Sequence, residues 1–306
     1  MKLAFVGSGP ISDFHVPALR EAGFEIDIAF SRPGSENLDS FCRRHEIEKS
    51  DNWNDFLEIA SRCSAIFVAV RTEATLEVLR KVAPLGLPIM AEKPGAADRS
   101  SLEALKGLDL DQFCWAYNRR FYRSIQFIKN QKERIRSAAV SWPETAKLDH
   151  QFIINGCHIV DTLRFIHGDL QIVERVSLGR DQGFVALLEN SDGVPVALNA
   201  TFGAFANAEA NFFLDDSRVL SLKPLEEVKE HSQMIVVEPN SKSRLRRYVP
   251  EIGETIEETV THFKPGFLNQ SRAFMRLVQT HEYGALSAFH DGLESLSLTL
   301  ELVEGS

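Results

Sequence analysis

Met1-Lys2-Leu3-Ala4-Phe5-Val6-Gly7-Ser8-Gly9-Pro10-Ile11-Ser12 opens the chain, and its reading decides the fold. Leu3 to Val6 is a short apolar run that reads as a strand, too short for the hydrophobic segment of a secretory leader. It stops at Gly7. From Ile11 onward Phe14, Leu19 and Ala22 recur at helical spacing until Gly23, a plausible stop. Gly7 permits a tight turn, and Gly9 lets the backbone approach a pyrophosphate. The first turn of the helix, with Ser8, Pro10 and Ile11 around it, then offers free N–H groups and a positive dipole end. Ser12 stands where the third glycine of a G-x-G-x-x-G fingerprint would be, still small enough for close packing of helix on strand. Taken alone, such a degenerate loop is often ordinary turn chemistry. On the first strand of an alternating pattern it points to a nucleotide.

That alternation continues to about residue 120. Strands are expected over 26–30, 65–70, 88–91 and 113–117, with helices over 38–45, 75–83 and 101–105 between them. Strands alternating with helices mean βαβ units, right-handed crossovers and a doubly wound parallel sheet covered on both faces. Beyond Arg120 the pattern changes. A connecting helix over 121–134, a strand over 136–142 and a helix over 156–166 precede strand-like runs at 173–178, 184–188, 196–202, 208–214, 219–222 and 234–237. Short strands separated by Gly, Asp and Asn imply an antiparallel sheet. Two helices, 268–281 and 291–303, close the chain. The expected fold is α/β, with a dinucleotide-binding domain over 1–120. An α+β domain with a large, mostly antiparallel sheet is expected over 121–306, its last helix free to pack back on the first domain.

Composition agrees. Across 306 residues, 44% are hydrophobic and 25% charged, the balance of an ordinary globular protein. The 34 Lys and Arg against 43 Asp and Glu give a net charge of −9, which lacks the global basic footprint of a nucleic-acid binder. Cys42, Cys63, Cys114 and Cys157 are scattered without a CxxC pair, so neither a zinc site nor a disulfide framework is expected, and no metal is predicted. No apolar stretch approaches the ~20 residues of a membrane span. A cytoplasmic protein is expected.

Three further stretches carry chemistry. The second strand ends Phe30-Ser31-Arg32, with no acid to bond the ribose hydroxyls of NAD. Ser31 and Arg32 suit a 2′-phosphate, which favours NADP, although Arg32 also reads as a solvated loop cation. Glu92-Lys93-Pro94 follows the fourth long strand, at the edge where ligands of a doubly wound sheet bind. Asn155-Gly156-Cys157-His158-Ile159-Val160-Asp161 enters the helix that continues through Arg164.

Together these residues resemble the Gfo/Idh/MocA family, the glucose-fructose oxidoreductase and inositol dehydrogenase group. The glycine turn with His15, Glu92-Lys93-Pro94, Asn118-Arg119-Arg120-Phe121 and Gly156-x-His158-x-x-Asp161 fall in the family's order, and His290-Asp291-Gly292-Leu293 resembles its last helix entry. The resemblance implies a Rossmann domain and an NAD(P)-dependent oxidoreductase that moves a hydride between the nicotinamide and a sugar, sugar-nucleotide or related polyhydroxy substrate. It implies Lys93 and His158 as catalytic residues, His158 as a general base or a partner in that role. Substrate contacts are expected from Tyr117, Arg120, Asn155 and Asp161. Cofactor contacts are expected from Gly7, Ser8, Gly9, Pro10, Ile11, Ser31, Arg32, Val70, Arg71, Glu92 and Lys93. A homodimer or homotetramer through the second-domain sheet is implied too, with no membrane partner.

Departures qualify this. Many members carry an aspartate four residues before the histidine, where this chain has Ile154. Thr75 stands where a histidine is usual, and Arg71 either contacts the ligand or narrows the cleft. For Asp161 and Arg164 an i,i+3 ion pair is the more ordinary reading. The stretch resembles a subgroup linked to bacterial surface-polysaccharide sugars. The alternatives are a catalytically impaired NAD(P)-binding regulatory or partner protein, and a redox-neutral epimerase or lyase using transient oxidation.

Overall fold

A computed structural model of the chain describes residues 1–147 and 149–305. In chain order its elements begin β1 (Lys2–Val6), α1 (Ser12–Glu21), β2 (Glu25–Phe30), α2 (Leu38–His45), β3 (Glu48–Ser50), α3 (Trp53–Ala60), β4 (Ala65–Val68), α4 (Thr72–Val82), β5 (Ile89–Ala91), α5 (Arg99–Lys106) and β6 (Phe113–Trp115). They continue with α6 (Arg123–Lys129), β7 (Ile135–Glu144), α7 (Asp149–Gln151), α8 (Cys157–His167), β8 (Leu170–Ser177), β9 (Gly183–Asn190) and β10 (Pro195–Phe202). The rest are β11 (Glu209–Leu214), β12 (Val219–Leu222), β13 (Glu227–Val237), β14 (Arg247–Glu257), α9 (Phe267–Thr280), β15 (Ser287–Ala288) and α10 (Phe289–Glu304). Two compact units result: Met1–Phe121 with Ile153–Asp161 and Val260–Leu300, and Tyr122–Phe152 with Thr162–Thr259 and the residues from Glu301.

The first unit holds a seven-stranded sheet in the order β15-β6-β5-β4-β1-β2-β3, parallel except at the β15 edge. Outward from β1 the strands go both ways, through β2 to β3 and through β4 to β6, which is the doubly wound arrangement. Leu3, Ala4, Phe5, Ala65, Ile66 and Phe67 are fully buried, so β1 and β4 are covered on both faces. Phe5 stacks on Phe67 with centroids 5.0 Å apart and meets Phe41 of α2 at 5.7 Å. Trp115, at the end of β6, sits in a slot without side chains on two walls. A Cβ on Gly95 would lie 2.4 Å from its ring and one on Gly292 2.0 Å. Its indole N–H donates to the Phe289 carbonyl at 3.0 Å. The glycine at the entry of α10 is thus fixed by the β6 tryptophan.

The second unit holds an eight-stranded sheet in the order β14-β13-β12-β11-β7-β10-β9-β8. All neighbours are antiparallel except β7 and β10. In β10 Val196, Leu198, Ala200 and Phe202 are buried while their neighbours are more open, the alternation of a sheet packed on one face. Both sheet types agree with the sequence reading. The region 46–64, where no element is expected from the sequence, contains β3 and α3. Asn52 caps α3, its side chain accepting from the N–H groups of Asn54 and Asp55. The hairpin partner β14 also lies beyond the last strand expected from the sequence, 234–237. Among the described residues no helix is long and apolar enough to cross a membrane.

Candidate active site

Four parallel strands of the first sheet end at one edge. β1 runs into Gly7, β4 into Val70 and Arg71, β5 into Glu92 and Lys93, and β6 into Tyr117–Arg120. This is the edge where open α/β sheets hold ligands, on the side of the strand order reversal.

Against β1 and β2 lies a cavity of about 560 Å³. Gly7, Ser8, Gly9, Pro10, Ile11, Ser31, Arg32, Val70 and Arg71 all line it. Arg71 therefore faces the cavity rather than standing apart from it. The glycines divide the work. A Cβ on Gly7 would lie 2.0 Å from the Ala69 carbonyl oxygen, and its φ of +112° suits glycine, so Gly7 lets β1 and β4 close together. A Cβ on Gly9 would meet nothing within 4 Å, so Gly9 leaves open the space into which a phosphate fits. Ser12 is fully buried, and its Oγ donates to the Gly7 carbonyl at 3.4 Å. A serine fits in the third glycine position because it bonds back to the turn. Ser35, Asn37, Trp53, Ala74, Glu77 and Val78 also line the cavity, and sequence reasoning missed them. The signal for Trp53 was the asparagine cap before it, with Trp53, Phe56 and Ala60 on one helical face. Its ring lies 3.9 Å from that of Phe30, centroid to centroid. Open space at Gly9, a helix start beneath it and a volume within the 300–1,000 Å³ of small-molecule sites fit an NAD(P) dinucleotide.

Glu92 and Lys93 do not line this cavity. Glu92, mostly buried, accepts a 2.6 Å hydrogen bond from His15 Nε2. Burial works against its charge, but the His15 hydrogen bond and the charges of His15, Lys93 and Lys264 hold its carboxyl below the ordinary value. His15 is itself clamped between Phe67 at 4.4 Å and Phe267 of α9 at 4.3 Å. Lys93 Nζ donates to the Ile154 carbonyl at 3.1 Å. Ile154 belongs to one π-helical turn, Phe152–Gly156, that leads directly into α8. Such turns widen the helix locally and often mark functional sites. The turn was not legible in the sequence. It carries Asn155, half-buried, and delivers His158.

His158 is buried, with the ring of Tyr117 edge-on at 5.8 Å. Burial, together with the charges of Lys93, Arg119 and Lys264, holds its imidazole well below the ordinary histidine value, so it is neutral at pH 7. Tyr117 is fully buried. Burial first, then the charges of Cys157 and Asp161, push its phenol well above the usual value. The structure places Tyr117 behind His158 rather than in open space.

Arg120 and Asp161 bind each other inside the fold. Arg120 is 4% exposed and Asp161 1%. Arg120 Nε and Nη2 donate to the two Asp161 carboxylate oxygens at 2.8 and 2.6 Å, and Nη2 also reaches Asp291 at 2.6 Å. Ser295 of α10 donates to Asp161 at 3.2 Å. The fork that suits a substrate anion is thus committed to two carboxylates of the fold. Asp161 finds its cation on Arg120, and Arg164 pairs with Asp169.

Residues 1–109 match the family model GFO_IDH_MocA, described as an oxidoreductase family with an NAD-binding Rossmann fold. They are a Gfo/Idh/MocA Rossmann domain. This part of the chain accordingly carries the NAD-binding domain of an oxidoreductase family. A dehydrogenase, MviM, from Clostridium difficile shares the fold at a TM-score of 0.77 and 16% identity, over 100% of this chain and 99% of that one. A dehydrogenase from Chromobacterium violaceum gives 0.77 and 16%, over 100% and 95%. UDP-N-acetylglucosamine 3-dehydrogenase GnnA from Acidithiobacillus ferrooxidans gives 0.75 and 15%, over 99% and 96%. No curated protein matches the sequence. At these identities the solved structures establish the shared fold of the chain.

Proposed function

We propose that the protein transfers a hydride between NADP and a carbinol or carbonyl carbon of a sugar, sugar nucleotide or related polyhydroxy substrate. The observation that carries this reading is the placement of Lys93, at the same sheet edge as the dinucleotide cavity, bonded to the turn that delivers His158. The nicotinamide, when bound, supplies or accepts the hydride. Lys93 handles the matching proton. In reduction its ammonium gives a proton to the carbonyl oxygen, and in oxidation its amine takes one from the hydroxyl. A base as weak as His158 holds a proton poorly, so His158 serves as a neutral hydrogen-bonding partner that orients the hydroxyl. Asn155, on the same turn, adds a polar contact. Tyr117, Arg120 and Asp161 brace the site from within.

Residues 1–120 hold the dinucleotide, and 121–306 supply substrate and subunit contacts. Ser31 and Arg32 at the end of β2, without a carboxylate, favour NADP over NAD. The neighbouring dehydrogenase of UDP-N-acetylglucosamine and the Asn155–Asp161 stretch support a surface-polysaccharide sugar as substrate. A homodimer or homotetramer is supported by the hairpin of β13 and β14. Met234, Ile235 and Val236 are exposed in succession on one strand, and Tyr248, Val249 and Ile252 are exposed on the other. A second copy of the chain covers them.

NADPH and NADH titrations followed by fluorescence, then a substrate screen, test the reading. Lys93→Met should lower turnover by about 10²–10⁴-fold while NADPH affinity holds. Equal loss of both would make Lys93 a cofactor contact. NADPH binding without turnover on any polyhydroxy compound would favour the regulatory reading, which Ile154 in place of an aspartate supports. Light scattering with Ile235→Glu should report a smaller assembly.

A further inference from the structure

A second cavity, of about 420 Å³, adjoins the dinucleotide cavity and shares Arg32 and Ser35 with it. Ser35 ties the two together. Its N–H donates to the Arg32 carbonyl at 3.1 Å, and its hydroxyl lies 3.4 Å from that of Ser8 in the glycine turn. β3 contributes the neighbouring wall. It runs parallel to β2, with Lys49 beside Ala29 and Ser50 beside Phe30, and the Ser50 carbonyl accepts from the Ser31 N–H at 3.3 Å. The end of β3 is therefore fastened to the Ser31-Arg32 turn, and Lys49 lines the cavity next to it.

Two cations line this second cavity, Arg32 and Lys49, against the carboxylates of Glu36, Asp39, Asp51 and Asp55. The cations differ in state. Arg32 is exposed, and among the described residues its guanidinium has no hydrogen bond or ion pair. Lys49 is held, its ammonium donating at 2.5 Å to Asp39 Oδ1 in the first turn of α2. Both members of that pair are more than half exposed, so water screens it and a doubly charged anion displaces the carboxylate at little cost. A dinucleotide with its pyrophosphate on the glycine turn brings its adenosine ribose to the end of β2. There NADP carries a 2′-phosphate where NAD carries a hydroxyl.

We propose that Lys49 is a further contact for the 2′-phosphate beside Arg32, and that Asp39 competes with that phosphate for it. The ion pair keeps the ammonium at the cavity while the cofactor is away. Its exchange from carboxylate to phosphate sets how far NADPH is preferred to NADH. The four carboxylates keep that preference modest, because they repel the phosphate that the two cations attract. This rests on the NADP reading of the adjoining cavity. It gives cofactor choice one determinant on β3 and one on α2, both outside the Phe30-Ser31-Arg32 stretch.

Parallel fluorescence titrations with NADPH and NADH at low ionic strength test it. Lys49→Met should weaken NADPH binding about tenfold and leave NADH within about twofold, and Lys49→Arg should restore most of the loss. Asp39→Asn should tighten NADPH about threefold, with NADH again within about twofold. That gain should shrink by more than about half in the Lys49→Met background, because Asp39 acts through Lys49. Added NaCl at about 0.5 M should reduce all of these differences. Both positions are exposed, and an unchanged unfolding midpoint in urea checks that each variant folds. An unchanged ratio of NADPH to NADH affinity in Lys49→Met would overturn the proposal while leaving the dinucleotide cavity and Arg32 in place. Equal weakening of both cofactors would overturn it as well, by making Lys49 a contact common to the two or a support of the fold. A gain in Asp39→Asn that persists in full without Lys49 would make Asp39 a direct repellent of the phosphate and overturn the competition. If neither cofactor binds, the oxidoreductase reading falls and this proposal falls with it.

Discussion

Asp161→Asn keeps the shape of a side chain and removes its charge, leaving the Arg120 guanidinium at 4% exposure with less to hold it. Burial alone works against the charge of Arg120, and the carboxylates of Asp161 and Asp291 outweigh it, holding the guanidinium protonated above its ordinary value. Removing one member of a buried pair costs about 3–5 kcal/mol, against about 0–1 kcal/mol for a surface pair. Two features place this case at the low end. Asp291 still accepts from Nη2 at 2.6 Å, and the asparagine oxygen keeps one hydrogen bond. Asp291 is 38% exposed, so solvent screens its share. The expected loss is about 3 kcal/mol, roughly a 150-fold fall in the ratio of folded to unfolded protein. For a chain of this size that is a melting point lower by about 6–12 °C. Urea unfolding followed by tryptophan fluorescence should show an earlier midpoint with an unchanged slope. Asp291→Asn, at the half-open end of the triad, should cost about 1 kcal/mol or less by the same assay. An unchanged midpoint for Asp161→Asn, with a raised substrate KM instead, would refute the argument and return Asp161 to the substrate.

Gly9→Val should leave the unfolding midpoint within about 1 kcal/mol, because a Cβ there meets nothing, yet weaken NADPH binding at least about tenfold by filling the cavity; unchanged affinity would move the dinucleotide elsewhere. Gly292→Ala drives a methyl to within 2.0 Å of the Trp115 ring, and should cost about 1–3 kcal/mol and shift the tryptophan emission. His158 is held below its unfolded value, so the unfolded chain binds the extra proton first. The stability this gives is present above about pH 6.5 and falls as pH drops below it, by at most about 1.4 kcal/mol per pH unit. His158→Gln should flatten that part of the stability profile between pH 6.5 and 5, and an unaltered profile would show that another group dominates.

The parallel sheet was legible because its central strands are continuous apolar runs bounded by turns, as in Leu3–Val6 and Ala65–Val68. Burial on both faces leaves no other use for such a run. Glu48–Ser50 escaped because an edge strand of three residues buries only its last, and its charges suit an edge better than a core. The β14 strand escaped for the same physical reason. Residues 247–257 are polar and largely exposed, and they form a strand because β13 pairs with them, not because of any period of their own. Pairing is a long-range property, and local sequence does not announce it.

The dinucleotide cradle was readable because Gly7, Gly9 and their neighbours lie in one short stretch, where backbone geometry alone brings them together. Arg120 shows where that stops. Asn118-Arg119-Arg120-Phe121 offers two adjacent arginines to one site, and residue chemistry gives either the fork that suits an anion. What separates them is direction. Arg120 turns inward because Asp161 and Asp291, 41 and 171 residues away in sequence, close around it. Arg119 acts on His158 with Lys93 and Lys264. Lys264 carries no motif at all. Its ammonium stands over the ring of Phe267, and Phe267 stacks on His15, which in turn depends on Glu92. The family motif thus has a structural reach beyond its own residues. By fixing Glu92 it fixes His15, by fixing His15 it seats α9, and by seating α9 it brings a lysine from outside the motif to the catalytic edge. A substitution at His15, which bonds Glu92 and stacks on Phe267 but does not line the dinucleotide cavity, should therefore loosen α9 and the Glu92 turn before it disturbs cofactor binding.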